Sequence, residues 1–485
     1  MNIIQLIKGA IKKMLGKSNI ESELNIDIAI SNKMESKIIE WRNIYENKAP
    51  WLNENVRSLE LGSAIANEFA RLMLTEMKTK ITGSQRANFL QIQYDRVLVK
   101  LPDNSEIANA LGGGMFKPYV KGSQIYVDFI QQGLFFPISF DDTGKIISVV
   151  FLSQKRQGDH IYTRLEYHRL IGTDYYISNT AYKSRDKSFL GKKINLTEVA
   201  EWKDIEQEVK IENVEKPLFA YYKPPTANNI DTKSPLGMSV FAKAGNLIKD
   251  ADEQYGRAIW EYEASEKAIY ASIEALKPKK EVIRDGEEKR TIWKTPKLKD
   301  RLFKAVDLEG KNGEGFFKDY SPEVRDEAFW RGLNKILERI EFNVGLAYGT
   351  LSEPAYSDKT ATEIKTSKQR SYVTVSRMQD NLQNTLEDLL YAMNVLATLY
   401  NLSPNGDYQV TFDWGDNVLT DTEREQTLQM QEVNAGLRSK LKYIMFRYGM
   451  TEKQAQEELD RIQKEKMSNQ EAFGFTPNTE TEGEE

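Results

Sequence analysis

Residues 239–276, SVFAKAGNLIKDADEQYGRAIWEYEASEKAIYASIEAL, are the stretch that decides the fold of this chain. Their apolar side chains recur every three or four positions, which predicts one amphipathic helix that ends before Pro278. At the helical rise of about 1.5 Å per residue, this helix would be about 55 Å long. Ser265 is the one polar break in its stripe. A helix of this length needs partners along its sides.

A second helix is predicted to begin at Ser321-Pro-Glu, since this triplet supplies an N-cap, a proline at the first helical position and an acid on the helix dipole. Its apolar stripe runs from Phe329 to Val344. Gly345 and Gly349 then predict a loop over residues 347–359. Two interpretations of the helix pair stay open, a helical hairpin within one domain and a strut in the wall of an oligomer.

Composition places the chain among folded proteins with a large surface. It has 485 residues, 40% hydrophobic and 29% charged, which predicts two to four domains or one elongated protein. The absence of long apolar runs predicts no membrane span, and the absence of cysteine excludes disulfides and fits a cytoplasmic origin. A net charge of −5 argues against tight, sequence-independent DNA binding. The alternation of apolar residues and Lys in residues 1–17 favours a docking helix over a membrane-surface helix.

Residues 34–222 combine helical and strand patterns. Gly112-Gly-Gly separates the helical part from a part with period two. The second part predicts an antiparallel meander, interrupted by a helix over residues 196–209. Helices are predicted over residues 34–46, 56–80 and 87–99, and strands over 124–130, 145–152, 161–170, 174–182 and 218–222.

Between the two long helices, residues 277–320 form a small basic insert. Asp285-Gly286 between two short β-rich runs predicts a hairpin with a tight turn. The insert is too small to bury a core by itself, so we expect it to be completed by a neighbouring copy.

The sequence pattern of residues 360–466 predicts mainly helices. Residues 360–400 predict another long helix, whose apolar stripe includes Leu386 and Met393 and is expected to be packing. A strand is predicted over residues 408–412, and charged helices over 420–434 and 451–466. Residues 467–485 are polar and acidic, which predicts a disordered tail.

Catalytic patterns are scarce. There is no phosphate-binding G-x-x-x-x-G-K-[ST] loop. His160 and His168 lack a metal-binding spacing and are interpreted as hydrogen-bonded sheet residues. Asp413 and Asp416 could hold a divalent metal with a third carboxylate, but acids at these positions are typical turn formers. The prediction is therefore no catalytic residue, no cofactor and no metal; a metal-dependent nucleic-acid enzyme built on the two aspartates is the alternative from another class.

Three motifs resemble a known family. They are Ser234-Pro-Leu-Gly-Met-Ser-Val-Phe before the first long helix, Phe342-Asn-Val-Gly-Leu-Ala-Tyr-Gly-Thr-Leu-Ser after the second, and Lys359-Thr-Ala-Thr-Glu-Ile further on. With the order of the elements, they resemble the portal proteins of tailed bacteriophages, in particular those of phages of Gram-positive hosts. The short acidic C-terminal part departs from this resemblance. Another multimeric virion or tail-baseplate protein is the alternative.

The resemblance implies an α+β, mainly helical, elongated subunit of a dodecameric ring at one capsid vertex, through which double-stranded DNA is packaged and ejected. The implied partners are other copies of the chain, the major capsid protein, the terminase large subunit, head–tail connector proteins and, where present, a scaffolding protein, with no membrane. The implied location is the virion at the head–tail interface, and the host cytoplasm during assembly.

The resemblance also divides the chain into parts and assigns residues to two sites. The parts are a wing (1–234), stem helices (235–276 and 321–345), a clip (277–320), a tunnel loop (346–360), a long helix with a crown (361–466) and the acidic tail (467–485). The implied tunnel-loop residues facing DNA are Gly349, Thr350, Leu351, Ser352, Ser357 and Lys359. The implied clip residues contacting the connector are Ile283, Asp285, Gly286, Ile292, Trp293 and Lys297.

Overall fold

The computed structural model describes residues 17–266, 268–272, 279–285, 288–294, 303–306, 317–320, 322–353, 361–415, 430–448 and 450–472. The chain divides into two compact units, residues 1–415 and 416–485. About 45% of the residues are helical and 22% lie in strands, so the expected α+β, mainly helical class is confirmed.

The first unit begins with helices that enclose an apolar core. Gly112, at φ +89°, ends the last of them and lets the chain reverse into the first sheet. This last helix continues through Pro102, beyond its predicted end, because its distal turns bury Ala108, Ala110 and Leu111. The elements are α1 (Lys17–Leu24), α2 (Asn32–Tyr45), α3 (Leu61–Leu74), β1 (Lys78–Gly83) and α4 (Gln85–Leu111).

Two antiparallel sheets follow. Strands β10, β2 and β3 pair in that order, and β4 to β8 form a meander in chain order with β9 beside β7. The strands predicted over residues 145–152, 161–170 and 174–182 are confirmed in this meander, whereas those predicted over 124–130 and 218–222 lie in the first, three-stranded sheet. The strands are β2 (Gly114–Lys121), β3 (Gln124–Gln131), β4 (Phe135–Phe140), β5 (Ile146–Gln157), β6 (His160–Ile171), β7 (Asp174–Ser184), β8 (Lys192–Ile194), β9 (Glu208–Ile211) and β10 (Ala220–Tyr222).

The predicted helix over residues 196–209 is wrong. Only a single 3₁₀ turn, Leu196–Glu198, is present there. Strand β9 takes the other end of the segment, because pairing with β7 satisfies its backbone and buries Ile211.

The long helix predicted over residues 239–276 is shorter in the structure. A 3₁₀ turn (Ala242–Ala244) leads into α5 (Gly245–Ala264), which ends at the polar break Ser265. Beyond it, β11 (Ala268–Ser272) pairs in parallel with β14 (Phe303–Val306) and antiparallel with β15 (Phe317–Tyr320). Pairing with strands distant in sequence therefore overrides the helical period of this segment.

The returning helix also begins later than its sequence signal. Helix α6 (Asp326–Val344) has Arg325 at its N-cap, and the Ser321-Pro-Glu triplet precedes it. Its end at Gly345 is as predicted.

Helix α7 (Ala361–Leu399) crosses the core of the first unit. Leu386 and Met393 are fully buried, which confirms that the stripe is packing. The helix contacts α3, α4, β2 and β10. Strand β16 (Tyr408–Asp413) then pairs with β1, so the boundary between the compact units falls after Gly415.

The second unit contains α8 (Lys440–Tyr448) and α9 (Glu452–Ala472). Thr451 and Gln454 begin α9 as a capping box, in which the Gln454 side chain accepts from the Thr451 backbone. The helix includes residues 467–472, so the predicted disordered tail is wrong for these six residues, whose composition suits a helix. Residues 473–485 lie outside the described part.

The motif at residues 234–241 has a packing role. Leu236, Met238 and Phe241 are buried in the core. A Cβ on Gly112 would lie 2.6 Å from the carbonyl oxygen of Gly237, so the two backbones approach where only glycine fits.

Candidate functional site

Helices α5 and α6 are joined at one end by an ion pair. Arg325 donates to both carboxylate oxygens of Glu261, at 3.0 Å from Nε and 2.8 Å from Nη2. The hydrogen bonds from Arg325 hold the pKa of Glu261 below its usual range. Nearby, Trp330 Nε1 donates to the Tyr262 hydroxyl at 2.8 Å. These contacts fix the start of α6 against the end of α5.

Asp252 attaches α5 to the N-terminal part of the chain. The sequence places it on the polar face of the helix, with a solvated or subunit-facing role, but its side chain is only 2% exposed. Its carboxylate accepts from Trp51 Nε1 and from the Leu59 backbone, both at 2.8 Å. Burial raises the pKa of Asp252, and the two hydrogen bonds oppose this shift. Asp252 is therefore neither solvated nor free to face another subunit.

At the other end of α6, one buried carboxylate organises the loop that follows. Glu341 is fully buried. Its Oε1 accepts from the backbone of Leu351 at 2.6 Å and of Ser352 at 2.9 Å. Its Oε2 accepts from the Ser352 hydroxyl at 2.8 Å and from the Gly349 backbone at 3.3 Å. We call this arrangement the Glu341 latch; it fixes residues 349–352 against the last turns of α6.

The latch corrects one part of the sequence interpretation. Ser352 is 5% exposed and its hydroxyl donates to Glu341, so its side chain does not lie on the loop surface, as a residue facing DNA would. Thr350 is exposed, and Leu351 is half-buried. Ser357 and Lys359 lie outside the described residues.

The predicted hairpin of the basic insert is present. Strands β12 (Lys279–Asp285) and β13 (Glu288–Lys294) pair antiparallel, with Asp285 opposite Glu288. Asp285 is thus the last paired residue of its strand. Ile283 pairs with Arg290, Ile292 with Glu281, and Trp293 with Lys280. Gly286 and Lys297 lie outside the described residues.

The histidine interpretation is confirmed for His168. It is buried on β6, with its Nε2 2.9 Å from Glu166 and its Nδ1 2.7 Å from the Tyr175 hydroxyl. Because the Glu166 carboxylate only accepts, Nε2 carries the proton and Nδ1 accepts from Tyr175. Lys117 and Arg164 also bind Glu166, at 2.6 and 3.0 Å.

The alternative metal site on the two aspartates is only half described. Asp413 accepts from the Gly415 backbone at 3.0 Å, as in a turn. Asp416 lies outside the described residues. Across the residues that the structure describes, there is no cluster of three or more side chains able to hold a metal ion.

Sequence reasoning missed Glu341 and Arg86, which are both buried and charged. Neither stands out in the sequence, because a charged residue on an amphipathic helix resembles one on a solvated face. The only local signal for Glu341 was the glycine pair that follows it, Gly345 and Gly349, whose positive φ angles of 88° and 86° permit the loop to turn back.

Comparison with known families agrees with the sequence motifs. A family model described as phage portal protein, SPP1 Gp6-like, matches residues 26–472. Because this match spans most of the chain, the protein belongs to this family of phage portal proteins. The resemblance to the portal proteins of phages of Gram-positive hosts is therefore confirmed. A comparison with curated proteins gives no match. No helix in the described part of the chain is long and apolar enough to cross a membrane.

Proposed function

We propose that copies of this chain form a dodecameric ring at one vertex of the phage capsid, and that double-stranded DNA passes through its channel during packaging and ejection. The family match over residues 26–472 carries this proposal. The long helices α5 and α6 supply rigid walls, and the net charge of −5 disfavours tight clamping of sliding DNA.

The test of the ring is a negative-stain image of the purified chain, together with its mass in solution. We expect ring-shaped particles with a central hole and a mass close to twelve copies. A monomer at all concentrations, or a magnesium-dependent nuclease activity abolished by Asp413→Asn, would favour the enzyme alternative.

Residues 346–360 are the proposed tunnel loop, which forms the narrowest part of the channel. The Glu341 latch supports this role, since a loop whose first residues are fixed by hydrogen bonds can lie close to DNA and keep its conformation. Thr350 is exposed and uncharged, so it can approach phosphates without a salt-dependent grip.

The loop is tested by Thr350→Arg, because Thr350 is exposed whereas Ser352 is buried. We expect normal rings and slower DNA packaging, with the defect reduced at high salt because the added charge acts through phosphates. Thr82→Arg is the control, since Thr82 is also exposed but lies on β1. Unchanged packaging by the Thr350 variant at both salt concentrations would reject the loop assignment.

Residues 277–320 are the proposed clip, which docks the terminase during packaging and the connector proteins afterwards. The β12–β13 hairpin gives this segment a defined edge, and Ile283, Asp285, Ile292 and Trp293 lie on its strands. Deletion of residues 280–318 is expected to leave the folding of residues 17–234 intact and to abolish connector binding. Connector attachment at the wild-type level would reject this assignment.

The remaining assignments follow from the same proposal. Residues 1–234 are the wing beside the capsid protein and any scaffolding protein, and the chain beyond residue 360 leads into the crown. The protein is then a structural component of the virion and not an enzyme, a role that membership of the portal family supports indirectly.

A further inference from the structure

We infer that adjacent copies dock through two unlike surfaces of the α5–α6 pair: the outward basic face of α6 on one copy enters a groove beside α5 on the next. This inference rests on the proposed ring and specifies which surfaces close it. The basic face is defined by Arg331, Lys335 and Arg339. The groove lies between α5 and residues 54–57.

The basic face of α6 points away from the rest of its own chain. Arg331 and Lys335 lie about 160° around the helix from the buried Leu333, at about 100° per residue. All three basic residues are exposed. Lys335 pairs with Glu338 one turn along, at 2.9 Å. Arg331 and Arg339 have no acidic partner among the described residues.

The groove beside α5 has the complementary character. Its volume is about 410 Å³. Three acidic residues, Glu54, Glu253 and Glu263, line it together with two arginines. Glu253 lies 3.7 Å from both Lys249 and Arg257 of its own helix, whereas no ion pair within the described residues holds Glu54 or Glu263. Trp260 also lines it and is 61% exposed, an unusual position for a large aromatic side chain. Gly256 lets α5 approach the backbone of residues 55–56 closely beside the groove, because a Cβ there would lie 2.5 Å from the carbonyl oxygen of Asn55.

The two surfaces cannot meet within one chain. Helices α5 and α6 pack through their inner faces, where Gln254 donates to the Phe329 carbonyl at 3.3 Å. Glu253 and Trp260 lie about 140–160° around α5 from the buried Ala258 of that inner face. Complementary surfaces on opposite sides of one rigid pair make a head-to-tail contact, which produces a ring when the rotation closes.

A second copy fits both surfaces better than DNA does. A DNA phosphate could bind the basic face, but it would gain little from the groove, where acids outnumber arginines three to two, and Trp260 would stay exposed. The α6 of a neighbouring copy fits both surfaces. Its basic side chains contact the acidic side chains of the groove, and it covers the exposed indole of Trp260. The contact is therefore self-association through unlike surfaces.

Charge reversal tests the contact on the full-length chain. Arg331→Glu with Lys335→Glu is expected to raise the concentration of half-assembly at least tenfold, as measured by sedimentation velocity. Glu253→Lys with Glu263→Lys is expected to do the same. Combining the four substitutions is expected to restore rings, which a folding defect would not allow. Lys192→Glu with Lys193→Glu changes the charge equally on the exposed strand β8 and serves as the control.

Cross-linking gives a second measurement that does not depend on a loss of assembly. The chain contains no cysteine, so every disulfide that forms must involve an introduced cysteine. Lys335→Cys is combined in turn with Glu253→Cys, Arg257→Cys and Trp260→Cys. At least one pair is expected to give a ladder of covalent multimers on oxidation, while each single variant gives dimers at most.

The outcomes separate this inference from the ring proposal. Rings that form normally from both reversed variants, with no ladder from any cysteine pair, overturn the docking surfaces and leave the ring intact. If the α6 reversal preserves rings but impairs DNA packaging, the basic face fronts the channel and the inference is overturned. A wild-type chain that stays monomeric overturns both.

Discussion

A single buried arginine joins the start of α4 to the end of α7 and the turn that follows it. Arg86, 1% exposed at the start of α4, donates to carbonyl and side-chain oxygens at the end of α7 and in the following turn. Its partners are Asn394, Thr398, Ser403, Pro404 and Asn405, at 2.7–3.1 Å. A planar guanidinium can reach this many acceptors at once, whereas a lysine ammonium cannot.

We therefore predict that Arg86→Lys lowers the free energy of unfolding by about 3 kcal/mol, because several buried acceptors lose their donors. Chemical denaturation measures this change. The exposed Arg71 provides the control, since Arg71→Lys should change stability by no more than about 0.5 kcal/mol. Equal stability of both variants would show that the Arg86 contacts contribute little.

The buried cluster around His168 makes the sheet sensitive to acid. Burial lowers the pKa of His168 from its ordinary 6.5, despite the neighbouring Glu166. Burial alone would raise the pKa of Glu166, but Lys117, His168 and Arg164 hold it well below 4.5. Below pH 6.5 the unfolded chain binds a proton at this histidine that the native chain does not, so stability falls as the pH falls. Glu166 contributes in the same direction at lower pH.

His168→Gln should flatten the dependence of melting temperature on pH below about 6.5, because glutamine keeps hydrogen-bonding capacity without titrating. As the pH falls in this range, the free energy of unfolding of the wild-type protein should decrease by up to about 1.4 kcal/mol per pH unit more than that of the variant. Parallel pH profiles for the two proteins would contradict the assignment.

At the scale of elements, the Glu341 latch sets the position of a whole loop. Glu341→Gln replaces one acceptor oxygen with a donor, which faces either the Leu351 and Ser352 N–H groups or the Gly349 N–H group beside the Ser352 hydroxyl. We predict that hydrogen exchange over residues 349–353 becomes about 5- to 150-fold faster, since losing these bonds costs about 1–3 kcal/mol. Glu327→Gln, at an exposed position in the first turn of α6, is the matched control. Unchanged exchange in the Glu341 variant would show that the latch does not hold the loop.

Helix α7 allows a similar comparison within one element. Leu386 is fully buried, whereas Leu399 near the end of the helix is 47% exposed. Leu386→Asp should cost several kcal/mol by burying an unpaired carboxylate, and Leu399→Asp should be tolerated. The soluble yield and the assembled fraction measure the difference. Soluble, assembled particles of the Leu386 variant would contradict the buried position.

At the scale of the whole molecule, the sequence was most informative where the signals are local. The strands of the meander were predictable because period two and turn residues such as Gly144 and Gly172 lie within a few positions of each other. The end of α5 was not predictable, since Ala268–Ser272 suits either period and its partner strands lie more than thirty residues away. Ser352 was misread because its acceptor is a carboxylate on the preceding helix.

The pairing of β1 with β16 determines when the first unit can finish folding during synthesis. Gly83 pairs with Tyr408, so β1 waits for a partner 325 residues further along the chain. At about 5–20 residues per second, that wait lasts about 16–65 s. Throughout it, Arg86 lacks its acceptors and the core lacks Leu386 and Met393 of α7. The newly made N-terminal part therefore exposes apolar surface for about 16–65 s, and during this time it is prone to aggregation.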